Sequence, residues 1–304
     1  MLLVIEIGTN STKSVVVIKS ENGIIFSEEK VMMGRLGEGL VESGYLSDNA
    51  IRRNLDILSN IINTRNKTNI DEIIILATQV LRTARNYADF KDKVKDIFDI
   101  DIIVLSPTEE AICAFYSQNP FHKSKCDLVL DIGGGSTELI RKDRNNSIIS
   151  KSYPIGVVYM KEIYEKNMYK FDSSDGLISF SFDLLKNFID NKELNRIFCI
   201  NERSLIGTGG TFTTLASIKY GLEKFDISLI EGAEMSIEEI KNILNVLLCK
   251  ENVKGLPLNR ADIMPYGVAI LLYIMEVLNI EKIKVTCKGV RHGYVNRMLD
   301  KAYD

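Results

Sequence analysis

The segment EIGTNSTK at residues 6–13 decides the fold, because DIGGGSTE repeats it at residues 131–138, an offset of 125 residues. Each copy begins with an acidic residue and follows an apolar run, and each is followed by a second β-prone run, at 14–18 and 139–141. A glycine turn between two such runs predicts a β-hairpin, whereas the glycine turn of a Rossmann or P-loop unit opens a helix. The sequence therefore predicts two related hairpins, one in each half of the chain.

Length and composition fit a globular protein of about two domains, since the chain has 304 residues, 45% hydrophobic and 26% charged. The net charge of −3 gives no basic excess, which argues against DNA as a partner. The N-terminus lacks secretory signal features, and the apolar stretch 263–280 contains Pro265 and Glu276, so we expect a buried helix rather than a membrane span. Five dispersed cysteines fit reduced thiols in a cytoplasmic protein.

Outside the hairpins, strand-like runs alternate with helical patterns, which predicts an α/β fold with largely parallel pairing. The predicted strands lie at 24–33, 72–78, 101–105, 148–153, 197–206 and 283–286. The predicted helices lie at 47–63, 89–98, 106–117, 157–166, 177–191, 236–250, 260–278 and 291–301. The last helix is expected to pack back on the first half, and the turn and lysine-rich segment at 119–125 is the predicted domain boundary.

Both hairpin turns have the chemistry of a phosphate cradle. Glycine lets backbone N–H groups approach an anion, and serine and threonine hydroxyls add donors. A carboxylate beside such a cradle repels the anion unless a cation such as Mg²⁺ lies between them, which makes Glu6, Asp131 and Glu138 candidate metal ligands. The alternative is that these acids only accept hydrogen bonds from the turn amides.

A third glycine-rich turn, GTGGT at residues 207–211, leads directly into a predicted helix. Free N–H groups and the positive end of the helix dipole would face an anion there. The same pattern is equally compatible with a purely structural turn.

In this order the motifs resemble the actin, sugar-kinase and Hsp70 ATPase superfamily, and more narrowly the exopolyphosphatase and guanosine pentaphosphate phosphohydrolase (Ppx/GppA) family. Further matching segments are RLGEGL at 35–40, ATQVLRTA at 77–84, SPTEEA at 106–111, RADI at 260–263 and GVRHG at 289–293. The resemblance implies two ribonuclease H-like (actin-like) domains around a cleft and a homodimer. The expected domains are 1–122 plus about 290–304, and 123–289.

The resemblance also implies roles for individual residues. Glu110 is expected to be the catalytic base, and Asp131 and Glu138, with Glu6 of the first hairpin, to hold Mg²⁺ or another divalent cation. The expected phosphate-binding residues are Gly8, Thr9, Asn10, Ser11, Arg35, Arg82, Gly133, Gly134, Gly135, Ser136, Thr137, Gly207, Thr208, Gly209, Gly210, Thr211 and Arg291.

The expected reaction is attack of an activated water on the terminal phosphorus of inorganic polyphosphate or, second, guanosine pentaphosphate. A non-catalytic protein binding polyphosphate or alarmone and an ATP-dependent small-molecule kinase of the same fold stay open as alternatives. Three positions depart from the family pattern, with Glu6 for aspartate, Pro107 for glycine and His292 for glutamate. No His-Asp dipeptide occurs in the sequence, so the HD-type domain of longer relatives is expected to be absent.

Overall fold

Two β-sheets organise the chain, for which the computed structural model describes residues 1–21, 23–63, 70–118, 128–143, 145, 147–166, 174–198, 204–249 and 252–303. The strands of the first sheet are β1 (Leu2–Ile7), β2 (Thr12–Ser20), β3 (Gly23–Met32), β4 (Glu72–Ala77) and β5 (Ile102–Val104). Those of the second are β6 (Val129–Ile132), β7 (Thr137–Lys142), β8 (Ile148–Tyr153), β9 (Ser204–Thr208), β10 (Glu234–Ser236) and β11 (Lys282–Val285).

Helices cover the sheets and connect their parallel strands. Those in the first half are α1 (Leu40–Ser43), α2 (Asp48–Asn63), α3 (Gln79–Thr83), α4 (Tyr87–Phe98) and α5 (Pro107–Gln118). Those in the second half are α6 (Val157–Lys166), α7 (Ser174–Leu185), α8 (Asn191–Phe198), α9 (Gly210–Tyr220), α10 (Ile227–Ile230), α11 (Ile237–Cys249), α12 (Met264–Val277) and α13 (Val290–Tyr303). Among the described helices, none combines the length and apolar character that crossing a bilayer would require.

The sequence repeat extends to the topology of both sheets. The strand order is β3-β2-β1-β4-β5 in the first sheet and β10-β11-β9-β6-β7-β8 in the second. In each, three antiparallel strands are followed by two parallel ones, and β10 adds an antiparallel edge to the second sheet. Glu6 pairs across its hairpin with Lys13, as Asp131 pairs with Glu138. Both predicted hairpins and the α/β class are therefore confirmed.

Helices α5 and α13 join the two sheets through a shared hydrophobic core. This core contains Val4 of the first sheet and Val129 of the second, together with Phe115 of α5 and Val295 of α13. The two helices cross closely at Gly293, where a Cβ would collide with the carbonyl oxygen of Cys113. The prediction that the last helix packs against the first half is confirmed. We keep the division into domains 1–122 plus about 290–304 and 123–289 as a proposal, and the predicted boundary at 119–125 lies outside the described residues.

Two element predictions in the second half are wrong. The helix predicted at 177–191 ends at Leu185, and a separate helix, α8, follows it. The Asp190 side chain accepts hydrogen bonds from the amides of Lys192 and Glu193 at 2.8 and 3.3 Å and so starts α8, a capping signal that the sequence reading missed. Of the strand predicted at 197–206, the first two residues end α8 and the last three belong to β9, which runs over Ser204–Thr208; positions 199–203 lie outside the described residues.

Candidate active site

The two hairpin turns face and touch each other. A Cβ on Gly134 would lie 2.8 Å from the Cβ of Thr9 and 3.0 Å from the amide nitrogen of Asn10, and one on Gly135 would lie 2.8 Å from Thr9 Oγ1. The second turn therefore needs glycine so that the first turn can approach it. Each turn is also closed in the same way, since the amide of Gly8 donates to the carbonyl of Ser11 at 3.0 Å and that of Gly133 to Ser136 at 2.9 Å.

A cavity of about 60 Å³ lies between the turns. It brings together the predicted base, all three predicted glycine turns and two of the three predicted acids, Glu6 and Asp131. Glu138 is not among the residues that line it. The predicted residues lining it are Glu6, Gly8, Thr9, Asn10, Ser11, Glu110, Asp131, Gly133, Gly134, Gly135, Ser136, Gly209, Gly210 and Thr211. The N-terminus of α9, which starts at Gly210, therefore meets both hairpins at one point, as an anion site built from backbone amides requires.

Glu110 lies in the first turn of α5 with only 6% of its surface exposed. Burial raises the pKa of its carboxyl, against the opposing charge of Arg82, whose Nη2 lies 2.8 Å from Glu110 Oε2. Arg82 in turn donates to the carbonyl of Leu105 at 2.6 Å and to Gln79 Oε1 at 2.9 Å, which fixes its position. A raised pKa makes the carboxylate a stronger base, the property that general-base catalysis needs.

The neighbouring Glu109 has a different role. Its Oε2 accepts from the amide and hydroxyl of Ser106 at 2.9 and 2.8 Å, which caps α5. Pro107, one of the departures from the family pattern, is the first residue of α5, a position that tolerates proline because no intrahelical N–H is needed there.

Glu6, the acid of the first hairpin, is buried but balanced by positive charge. Its Oε1 accepts from Lys13 Nζ at 2.9 Å, and its Oε2 lies 3.8 Å from Arg291 Nη1. Burial acts to raise the pKa of Glu6, but the charges of Lys13 and Arg291 outweigh it and hold that pKa below its usual value. Glu6 therefore remains ionised at neutral pH.

The two acids of the second hairpin lack such balance. Burial raises the pKa of Asp131 to about 7, against the charge of Lys13 and with the negative charges of Glu110 and Glu6 adding to the rise. Burial and the charges of Glu110 and Asp131 raise the pKa of Glu138 well above its usual value, although Ser152 Oγ donates to Glu138 Oε1 at 2.7 Å. The cleft thus concentrates more negative than positive charge at this hairpin.

These two acids fit a divalent cation, which would supply the missing positive charge. Within the described ranges no three histidine, cysteine, aspartate or glutamate side chains are grouped so as to hold a metal ion, so Glu6, Asp131 and Glu138 do not form a three-carboxylate cluster. Mg²⁺ typically takes only one or two protein carboxylates and completes its coordination with water and substrate phosphates. Asp131 and Glu138 match that donor set, and Glu6 is already engaged by Lys13.

Several predicted phosphate-binding residues do not line the cavity. The guanidinium of Arg35 pairs with both carboxylate oxygens of Asp262 at 3.0 Å, and Arg291 pairs with Glu29. The hydroxyl of Thr137 donates to the carbonyl of Ile155, and that of Thr208 donates to the carbonyl of Lys288. Gly207 packs against the ring of Phe212, and Arg82 contacts Glu110.

His292 is the third departure from the family pattern. Its Nδ1 accepts from the amide of Gly289, so its Nε2 carries the proton that faces Glu29 at 3.2 Å.

Two cations in the cleft were not among the predicted site residues. Lys13 and Arg260 line both the small cavity and a neighbouring cavity of about 680 Å³. The Arg260 guanidinium covers Gly210, where a Cβ would collide with it, and among the described side chains no carboxylate forms an ion pair with it. Burial lowers the pKa of Arg260 to about 10, yet it stays charged at neutral pH. Lys13 is the last residue of the 6–13 motif and Arg260 the first of the 260–263 motif, so their positions in these motifs could have indicated that they belong to the site.

Comparison with known proteins agrees with the geometry. The sequence profile of the Ppx/GppA phosphatase family matches residues 3–302. A guanosine-5'-triphosphate,3'-diphosphate pyrophosphatase of Photobacterium profundum is 28% identical over 310 residues, which cover 98% of this chain and 59% of that protein. The chain thus spans less than two thirds of that relative's length.

Solved structures match over nearly the whole chain. An exopolyphosphatase from Cytophaga hutchinsonii superposes with a TM-score of 0.85 at 21% identity, covering 99% of this chain and 98% of that one. The Ppx/GppA family member from Aquifex aeolicus gives 0.78 at 22% identity, covering 100% and 98%. At this identity the likeness concerns the fold alone, and it confirms the predicted pair of actin-like, ribonuclease H-like sheets.

Proposed function

The chain belongs to the Ppx/GppA phosphatase family, and on that premise we propose that it hydrolyses the terminal phosphoanhydride bond of guanosine pentaphosphate or inorganic polyphosphate. The observation that carries the proposal is the placement of Glu110, a buried carboxylate with a raised pKa, in the same cavity as three glycine-rich turns. Hydrolysis of a phosphoanhydride depends mainly on positioning and charge stabilisation, which amides, cations and one base can supply.

In the proposed reaction, Glu110 accepts a proton from water while the water oxygen attacks the terminal phosphorus. The bond from that phosphorus to its bridging oxygen breaks, and the shortened substrate departs with the electron pair. Backbone amides of the turns at 8–11, 133–136 and 209–211 hold the phosphate oxygens, and Arg82 orients Glu110 through their 2.8 Å contact. Bound Mg²⁺, held by Asp131 and Glu138, would neutralise charge on the phosphates.

The larger cavity next to the cleft favours guanosine pentaphosphate over the polyphosphate that the sequence ranked first. It shares Lys13, Asp131, Gly209, Gly210 and Arg260 with the cleft. Its lining is mixed, and its apolar side chains include Leu222, Phe225, Ile227 and Leu256. Polyphosphate has no apolar group to place against such side chains, whereas a guanine ring can bury its faces there. The names of the relatives are compatible with both substrates.

Phosphate release tests the proposal directly. The purified chain is incubated with Mg²⁺ and guanosine pentaphosphate, polyphosphate or ATP, and free phosphate is followed in time. We expect release from the first two, and a fall of about 10²–10⁴-fold in the Glu110→Gln variant with substrate binding retained. Glu109→Gln is the matched control, because this neighbouring glutamate caps α5 and leaves the cleft unchanged.

The outcomes separate the alternatives. Release that survives Glu110→Gln would refute the assignment of the base. Binding without release would favour a polyphosphate- or alarmone-binding protein, and ATP consumption only with an added acceptor would favour a kinase. A Phe225→Ala change sharpens the substrate choice, because it should raise KM for guanosine pentaphosphate and leave polyphosphate unaffected. The homodimer and the cytoplasmic location stay predictions.

A further inference from the structure

One rim of the cleft is closed by contacts between the two halves of the chain. The segment 34–41, which follows β3, meets α6 and the residues that directly precede α12. Arg35 donates through both terminal nitrogens to Asp262 at 3.0 Å, and Lys161 donates to the same carboxylate at 2.8 Å. The Glu162 carboxylate accepts from the amides of Gly39 at 2.8 Å and Val41 at 3.1 Å. We call these contacts the rim clasp.

The rim clasp is connected to the phosphate-binding turn by backbone hydrogen bonds. The amide of Arg35 donates to the carbonyl of Asn10 at 2.9 Å, and the amide of Gly37 donates to that of Thr9 at 2.9 Å. Arg35 has a φ of 44°, a left-handed conformation that a non-glycine residue holds only when its surroundings impose it. The surroundings here include Arg53 of α2, whose Nη2 donates to the carbonyl oxygen of Arg35 at 3.0 Å.

Through this connection the rim clasp fixes the first hairpin turn relative to the second half of the chain. A shift of the 8–11 turn relative to the 133–136 turn would displace segment 34–41, which Glu162 and Asp262 of the second half hold.

We propose that Glu162 and Asp262 are positioning residues, which hold segment 34–41 and through it the 8–11 turn against the 133–136 turn. Neither residue lines the small cavity, so the contacts of the rim clasp are the same in the ground state and the transition state. Losing them therefore weakens substrate binding while the chemical step keeps its rate. This consequence for kinetics rests on the proposed hydrolysis; the contacts themselves do not.

Amide hydrogen exchange of the substrate-free chain tests the rim clasp without any activity. In Glu162→Gln the amide group keeps one acceptor oxygen for the two backbone donors, so exchange in the segment 37–42 should rise about tenfold, the loss of one hydrogen bond to a charged group. Asp262→Asn is the second variant and should loosen the Arg35 contact in the same way. The control is Glu42→Gln, since this exposed glutamate on α1 makes no hydrogen bond or ion pair among the described residues.

Kinetics of the same variants provide the second measurement. We expect KM for guanosine pentaphosphate or polyphosphate to rise about tenfold in Glu162→Gln and Asp262→Asn, with kcat within twofold of the parent and Glu42→Gln unchanged in both. Unchanged exchange and unchanged KM would overturn the proposal, as would a fall in kcat alone. If the parent chain hydrolyses nothing, the proposed function fails while hydrogen exchange still decides whether the rim clasp holds segment 34–41.

Discussion

The two hairpins share a backbone and differ in charge. Glu6 and Asp131 occupy the same position at the start of their turns and pair across their hairpins with residues 13 and 138. In the first hairpin that partner is a lysine, and in the second it is a glutamate. At Glu6 the charges of Lys13 and Arg291 outweigh burial and lower the pKa, whereas at Asp131 and Glu138 burial, with the charge of Glu110 adding to it, raises the pKa.

The turns also differ in shape, and the two shapes are complementary. Thr9 and Asn10 of the first turn correspond in the repeat to Gly134 and Gly135 of the second, and the side chain of Thr9 occupies the space that those glycines leave. Two turns that both carried side chains at these positions could not approach this closely. The two copies of the repeat therefore contribute different parts of the site. The first supplies the Thr9 and Asn10 side chains and an acid whose charge is balanced by Lys13, and the second supplies glycines that leave room and acids that lack a balancing charge.

The largest difference between the hairpins should appear in catalysis. Because Asp131 is proposed to face the metal and Glu6 is neutralised by Lys13, Asp131→Asn should lower kcat/KM about 100-fold or more. Glu6→Gln should lower it about tenfold at most. Phosphate release at saturating Mg²⁺ measures both, and equal losses would remove the distinction between the two copies.

The fit between the turns should appear as non-additive stability. Gly134→Ala should lower the free energy of unfolding by about 1–3 kcal/mol, because the new Cβ meets Thr9 and the backbone of Asn10. Adding Thr9→Gly should recover at least half of that loss, measured by urea unfolding of the double-mutant cycle. Gly289→Ala is the control, since its Cβ would meet only Thr208 Oγ1 at 3.4 Å. Strict additivity would show that the turns do not fit as described.

The charge difference should also change stability in opposite directions. At pH 8 with chelator present, Asp131→Asn should raise the free energy of unfolding by about 1–2 kcal/mol, since it removes a buried carboxylate that lacks a balancing charge. Glu6→Gln should lower it by about 1–2 kcal/mol, because Lys13 loses its buried partner. Urea unfolding of both variants compares them, and a shift of the same sign in both would contradict the charge assignment.

A smaller effect concerns acid stability near the first hairpin. Burial opposes the ionisation of Glu29, but its hydrogen bond with His292 and the charge of Arg291 outweigh this and lower the pKa of Glu29 to about 2. A lowered carboxyl pKa gives stability that is complete above the ordinary value of 4.5 and is lost as pH falls toward 2. The advantage of the parent over Glu29→Gln should therefore shrink by about 1 kcal/mol between pH 6 and pH 4, as measured by urea unfolding. A constant difference would contradict the lowered pKa.

The sequence predicted local structure well because the repeat carries it. The two hairpins, repeated at an offset of 125 residues, and the turn at 207–211 predicted the glycine-rich turns that line the cleft, and the family resemblance predicted the role of Glu110. Long-range partners were not visible, since Arg35 meets Asp262 and Arg291 meets Glu29 from opposite ends of the chain. Motif position alone therefore predicted phosphate contacts for two arginines that are paired with carboxylates. The same limit applies to Glu6, whose balance depends on Arg291.

Binding of Mn²⁺, followed by its paramagnetic resonance signal in the presence of pyrophosphate, tests the central claim most directly. Mn²⁺ reports a Mg²⁺ site because both cations prefer oxygen ligands in octahedral geometry. Asp131→Asn should weaken Mn²⁺ binding about tenfold or more, and Glu6→Gln should leave it within about twofold of the parent. Loss of binding in Glu6→Gln with retention in Asp131→Asn would assign the cation to the other hairpin and contradict the account.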